Sequence, residues 1–110
     1  MDTDCALAAL AALSHPTRLD AFRQLVRREP DGLSTGELVA SSGLTQSTFS
    51  THLAVLAKAG LVTAEKQGRQ QIQRASIETL RELMTFLAKD CCAGSPELCA
   101  PLVAELAHCC

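Results

Sequence analysis

The residues with the most chemistry in them are thiols. Of six cysteines, five fall within the last twenty positions, and four of these form adjacent pairs, Cys91-Cys92 and Cys109-Cys110. No basic amino-terminal region precedes the apolar run Cys5 to Leu13, so export is not signalled, and thiols that stay in the cytoplasm stay reduced. Neighbouring cysteines also close a strained ring if they bridge each other. Metal, metalloid or redox chemistry is therefore expected in place of a disulfide framework. His108 beside Cys109-Cys110 adds zinc to the options, in a terminal segment of the kind that binds metal adventitiously. Cys5, alone in the first run, reads as a small buried or interface residue. The chain holds no Cys-x-x-Cys pair and no His/Asp arrangement for catalysis, so it does not read as an enzyme; a small thiol oxidoreductase or metalloid carrier is the rival from that class.

A second group could do chemistry of another kind, by hydrogen bonding. Gln46, Ser47, Thr48, Ser50, Thr51 and His52 crowd one side of the stretch Thr45 to Val62, whereas Leu44, Phe49, Leu53 and Leu56 recur at helical spacing on the other. Thr45 suits an N-cap and Gly60 follows the last periodic residue, so a helix of about 45–59 is marked at both ends. Short hydrogen-bonding arms with almost no charge make a poor enzyme site and a good reader of a nucleic-acid groove. The net charge of −2 argues against nucleic acid when taken alone. Its distribution points the other way: residues 42–75 carry four basic groups and one acidic group, and both flanks are acidic.

These residues need elements to position them. At 110 residues the chain reads as one domain with a modest core, for which pairing through a leftover apolar face is expected. Asp4 to Leu13 is such a face, a helix with little polar surface. Pro16 suits a first helical position, and Leu19, Phe22, Leu25 and Val26 give a second helix its apolar stripe, ending at the turn Glu29-Pro30-Asp31-Gly32. Ser34-Thr35-Gly36-Glu37 has the form of a capping box opening a short third helix, and Ser42-Gly43-Leu44 is a tight turn. Short helix, glycine turn and polar-faced helix make a helix-turn-helix. Val62 to Lys66 and Gln70 to Ala75 flank Gln67-Gly68-Arg69 as a hairpin of about 62–75, a wing made basic by Lys66, Arg69 and Arg74. Ser76 caps a last long helix whose seam is Ile77, Leu80, Leu83, Met84 and Leu87. The expected fold is mainly α with a β-hairpin, a winged helix-turn-helix.

Three sets of these residues, Ser14-His15-Pro16-Thr17-Arg18-Leu19, the motif Gln46-Ser47-Thr48 with His52-Leu53, Leu56 and Ala59-Gly60-Leu61-Val62, and the basic Gly-Arg hairpin, resemble the ArsR/SmtB family of metal- and metalloid-responsive repressors over roughly residues 7–90. The resemblance implies a cytoplasmic homodimer, paired through its first and last helices, that sits on an inverted-repeat operator in double-stranded DNA and leaves it when an inducer binds. DNA contacts would come from Gln46, Ser47, Thr48, Ser50, Thr51 and His52 in the groove and from Lys66 and Arg69 on phosphates, with no cofactor needed for DNA binding and no membrane partner.

The inducer is where the chain departs from other branches of that family. Leu38-Val39-Ala40-Ser41 lacks the cysteines of the arsenite site that precedes the recognition helix, and Ile77 to Asp90 lacks the histidine of the zinc and nickel site on the last long helix. Asp90-Cys91-Cys92-Ala93-Gly94-Ser95-Pro96-Glu97-Leu98-Cys99 instead resembles a C-terminal arsenic(III) site, in a dimerisation and inducer segment of about 77–110. Trivalent arsenic and antimony are soft and favour thiolate, and three sulfurs on one side of the arsenic satisfy it. Gly94 permits a reversal, and Ser95-Pro96 suit the cap and first residue of a further helix, bringing Cys99 back about one turn in. Cys109 and Cys110 are a second thiol pair that could join in binding or transfer. The same fold with a thiol-redox switch, or with a zinc or cadmium response, is the alternative.

Overall fold

The computed structural model describes residues 1–89 and 96–108, without the side chains of Pro96, Leu98, Cys99, Ala107 and His108. Its elements run α1 (Thr3–Leu13), α2 (Pro16–Arg27), β1 (Leu33–Ser34), α3 (Thr35–Ser42), α4 (Gln46–Lys58), β2 (Val62–Gln67), β3 (Gln70–Ala75), α5 (Ile77–Ala88) and α6 (Pro96–His108). This is the winged helix-turn-helix expected from the sequence.

Local chemistry sets most of the boundaries. The Asp2 carboxylate accepts the Cys5 N–H at 2.8 Å and starts α1. Ala6, Ala9 and Ala12 then line its buried side, where small residues allow close approach, and Leu7 and Leu10 stay exposed. Pro16 is the first residue of α2, and the His15 imidazole supplies the cap by accepting the Thr17 N–H at 3.1 Å. Ala21, Phe22 and Leu25 are the buried face of α2. Leu19, expected in that stripe, instead points outward and is 43% exposed.

The capping box at Ser34 is present in both directions: the hydroxyl accepts the Glu37 N–H at 3.1 Å, and the Glu37 carboxylate accepts from the Ser34 N–H at 3.3 Å. Ser34 is buried and also ends β1, so the cap joins sheet to helix. Ser34→Ala is expected to cost about 0.5–2 kcal/mol, read as a lower urea midpoint at unchanged m-value. An unshifted midpoint would mean that α3 starts without help from this hydroxyl.

The sheet has the order β1-β3-β2 with antiparallel pairings throughout. Gln67 faces Gln70, leaving Gly68-Arg69 as a two-residue turn in which Gly68 takes a positive φ of 63°. The wing is thus a longer and more regular hairpin than its weak Gln-Gly signal suggests. Strand β1 has no signature of its own in the chain, since two residues cannot display alternation. What makes β1 possible is Gly32, at φ 75°, where a Cβ would collide with the Gln73 carbonyl of β3.

Phe49, Leu25, Leu38, Leu56 and Leu61 are the largest fully buried side chains and draw α2, α3 and α4 onto one core. Helix α5 adds Leu83 to it, but Met84 and Leu87 of the same seam remain 37% and 55% exposed. Helix α6 continues to His108 with Pro101 inside it, further than the sequence leads one to expect. Its Leu102, Val103 and Leu106 face Ile77, Leu80 and Met84 of α5 across an apolar groove.

Candidate nucleic-acid interface and thiol segment

Helix α4 owes its orientation to its inner side. Phe49, Leu53 and Leu56 are buried and Leu44 packs at the margin of the same core. At 3.6 residues per turn this fixes which groups look outward. Gln46, Ser47, Thr48, Ser50 and Thr51 are all exposed. Thr45 caps the helix by accepting the Thr48 N–H at 3.2 Å and donates to the Thr48 hydroxyl at 3.0 Å. The Thr51 hydroxyl donates to the Ser47 carbonyl at 3.3 Å. Among the described residues, the side chains of Gln46, Ser47 and Ser50 have no internal partner, so their hydrogen-bonding capacity faces solvent.

The wing stands beside this face. A cleft of about 600 Å³ separates Gln46, Ser50 and Ala54 of α4 from Arg69, Gln70 and Gln71 of the wing. Its back wall is the start of α3, fixed to the wing by the buried Gln73, whose amide donates to the Thr35 hydroxyl at 3.1 Å, while that hydroxyl donates to the Gln71 carbonyl at 3.4 Å. Thr35, Gln70 and Gln71 are additions to the residues expected from sequence. The glutamine-rich strand at 70, 71 and 73 is the signal that could have found them. Lys66 is exposed on β2 and Arg69 sits at the turn. Arg74, the third basic residue of the wing, lies 3.8 Å from Glu65, which offsets its charge locally.

His52 stands apart from its polar neighbours. It is half-buried on the flank of α4 nearest α2, with its ring centroid 4.4 Å from that of His15 and its Nδ1 3.2 Å from Arg18 Nη1. Loss of hydration, then the His15 and Arg18 charges, hold its imidazole below the ordinary histidine range.

Of the thiols, Cys91, Cys92, Cys109 and Cys110 lie outside the described residues. Cys99 belongs to the first turn of α6, as its spacing from Pro96 requires. Cys5 is free and exposed, in place of the buried position that its apolar neighbourhood suggests for a single chain. A hydrogen bond to Asp2, together with that carboxylate's charge, pushes the Cys5 thiol up and makes it a poor nucleophile at neutral pH. Among the described residues there is no cluster of three or more His, Cys, Asp or Glu that could hold a metal ion, and no helix long and apolar enough to cross a membrane.

Known proteins share this geometry and parts of the sequence that builds it. A helix-turn-helix domain model matches residues 13–65, from the end of α1 into the wing. An uncharacterised helix-turn-helix regulator of Mycobacterium tuberculosis H37Rv, Rv0081, is 36% identical over 70% of this chain, which spans 66% of the length of that relative. The biofilm growth-associated repressor of Agrobacterium fabrum is 33% identical over 81% of this chain and 74% of its own. The structure of an ArsR-like transcriptional regulator from Rhodococcus sp. RHA1 superposes with a TM-score of 0.73 at 26% identity, covering 88% of this chain and 89% of that one. These relatives are transcriptional regulators, not enzymes. A winged helix-turn-helix with the outer face of α4 open beside a wing, shared with these relatives along most of its length, places the chain in the ArsR family of helix-turn-helix transcriptional regulators.

Proposed function

We propose that the protein is a single-domain, cytoplasmic repressor that binds operator DNA as a homodimer and leaves it when a trivalent arsenical or antimonite binds its C-terminal thiols. The observation that carries the DNA half is the outer face of α4. It is held outward by Phe49, Leu53 and Leu56 and presents short polar arms beside a wing with Lys66 and Arg69. In this reading Gln46, Ser47, Thr48, Ser50 and Thr51 meet base edges, His52 lies at the margin of that surface, and the two wing cations meet phosphates.

Dimerisation is supported by apolar surface that one protomer leaves uncovered. Leu7 and Leu10 of α1 and Met84 and Leu87 of α5 remain exposed on helices that otherwise bury their apolar sides. Two recognition helices related by a two-fold axis read an inverted repeat. The arsenic half rests on the chemistry of Cys91, Cys92 and Cys99: soft thiolates near a helix start, the third of them in the first turn of α6. Because their segment connects α5 to α6, drawing Cys99 onto the pair would pull on the helices of the dimer face.

The test is selection of a duplex from random-sequence DNA, followed by titration of the selected complex with arsenite, methylarsenite, antimonite, zinc, cadmium and peroxide. Selection of an inverted repeat and release by the trivalent metalloids is the expected result. Release by peroxide alone would instead make the thiols a redox switch, and release by zinc or cadmium alone would make them a metal site. Arg69→Ala is expected to weaken binding to all duplexes about equally and to reduce the slope of log K against log salt by about one. If Arg69→Ala altered sequence preference while the slope stayed fixed, Arg69 would be a base reader.

A further inference from the structure

The polar helix that carries His52 suggests a DNA contact for it, yet its ring is engaged on the flank nearest α2, in a cluster that ties three helices together. Arg18, two residues into α2, donates from Nε to the Ala12 carbonyl at 2.6 Å at the end of α1, and its Nη1 reaches His52 on α4. Arginine stays protonated and can only donate. The contact at 3.2 Å therefore requires His52 Nδ1 to be an unprotonated acceptor, with the ring proton on Nε2. The same holds for His15, whose Nδ1 accepts the Thr17 N–H that caps α2. Two imidazoles in contact, their planes tilted by 35°, thus each use an unprotonated nitrogen to hold a helix beside a guanidinium.

We propose that His15, Arg18 and His52 form a proton-sensitive latch that positions the recognition helix α4 against α1 and α2, closed while the His52 imidazole is neutral and opened when it gains a proton. His52 is then a positioning residue. Protonation at its Nδ1 removes the acceptor for Arg18 and sets a second cation against the first. The charged and titratable groups that face His52 are His15 and Arg18 from the α2 side; α1 brings the neutral carbonyls of Ala11 and Ala12 into the cluster, and no other ionisable group acts on His52 among the described residues.

The sign follows from the direction in which His52 is shifted. Its folded-state proton affinity lies below the unfolded value of 6.5, so between the two the unfolded chain holds more protons than the folded one. Stability is complete above the unfolded value and falls as the pH drops through that window toward the folded value. DNA binding that needs the closed latch falls in the same direction, by at most about tenfold per pH unit for each proton taken up.

The DNA consequence rests on reading α4 as the recognition helix, so the test separates latch from function. In the protein without DNA, ¹⁵N spectra of the ring nitrogens are expected to show both His15 and His52 as Nε2–H tautomers near pH 8, and the thermal unfolding temperature is expected to drop on acidification in wild type and less in His52→Gln, whose amide oxygen can accept from Arg18 at any pH. With the duplex selected by wild type, affinity is expected to be lower at about pH 5.5 than at about pH 7.5, by less than about tenfold because His52 takes up its proton below the ordinary histidine range, and the ratio of affinities at the two pH values is expected to shrink in His52→Gln. An Nδ1–H tautomer at His52, or an acid-induced loss of stability equal in wild type and His52→Gln, would overturn the latch even if DNA is bound. If no duplex is selected, the repressor reading fails and the tautomers and unfolding still decide the latch.

Discussion

Cys92→Ser is expected to abolish release of DNA by arsenite and to leave operator binding in place. The reason is the count of soft ligands. In the proposed site, trivalent arsenic would make three bonds to sulfur, from Cys91, Cys92 and Cys99; in the variant the serine hydroxyl is a hard donor that is protonated at neutral pH, and two thiolates remain. The coupling at stake is that between inducer and DNA, typically about 1–3 kcal/mol, or roughly 5–150-fold in DNA affinity. Wild type should show that loss of affinity on saturation with arsenite, and Cys92→Ser should show none at the same concentration. The proposed DNA contacts lie on α4 and the wing, in a separate part of the chain from this segment, so affinity without inducer should stay within about twofold, a change of under about 0.5 kcal/mol. Retention of full arsenite-dependent release by the variant would remove Cys92 from the site.

The same variants distinguish between inducers. Methylarsenite offers two positions to thiols, so one of the three cysteines is expected to be dispensable for it and all three necessary for arsenite. Reciprocity supplies an independent check: saturating operator should weaken arsenite binding by the factor by which arsenite weakens operator binding. A DNA-release assay and a direct arsenite titration must therefore agree. Cys5→Ser serves as the control. Its thiol is raised by Asp2 and sits at the start of α1, remote in sequence from the C-terminal thiols.

The parts of this molecule that can be read from sequence are those whose determinants are local. The capping box at Ser34 and Glu37, the cap at Thr45, Pro16 at the head of α2 and the positive φ at Gly43 and Gly60 all follow from residues within one turn of the feature they specify. The inner face of α4 is legible because Phe49, Leu53 and Leu56 repeat with the helix. What escapes is non-local. Strand β1 exists only because β3 comes to lie beside it, and Leu19 faces outward because α2 is covered by α1 and the core along Ala21, Phe22 and Leu25. His52 shows the same limit at the site. Its type and position on a polar helix suggest a DNA contact, and its ring direction depends on His15 and Arg18, a long way back along the chain. The thiol segment is an expectation from sequence alone: Cys91, Cys92 and Gly94 lie outside the described residues, and Cys99 is placed only as a member of α6.

Phe49→Ala is expected to cost about 3–5 kcal/mol of folding free energy, the range for removing a buried aromatic side chain. Phe49 is 2% exposed, the largest of the fully buried side chains, and sits on the first turn of α4 facing the core that Leu25 and Leu38 also enter. A domain of this size has a total stability of about 5–15 kcal/mol, so the loss is a large share of it. Because the proposed pairing of two chains would add concentration-dependent stability, the urea midpoint should be compared at matched protein concentration. Phe49→Leu should recover part of the loss, since it returns apolar volume to the same cavity. The effect on DNA should follow folding alone: at temperatures where the variant is folded, its affinity should be close to that of wild type, because Phe49 points away from the polar face. A variant that unfolded normally and yet failed to bind DNA would put the aromatic ring at the DNA surface, and α4 would then be rotated about its axis from the position that exposes Gln46, Ser47 and Ser50.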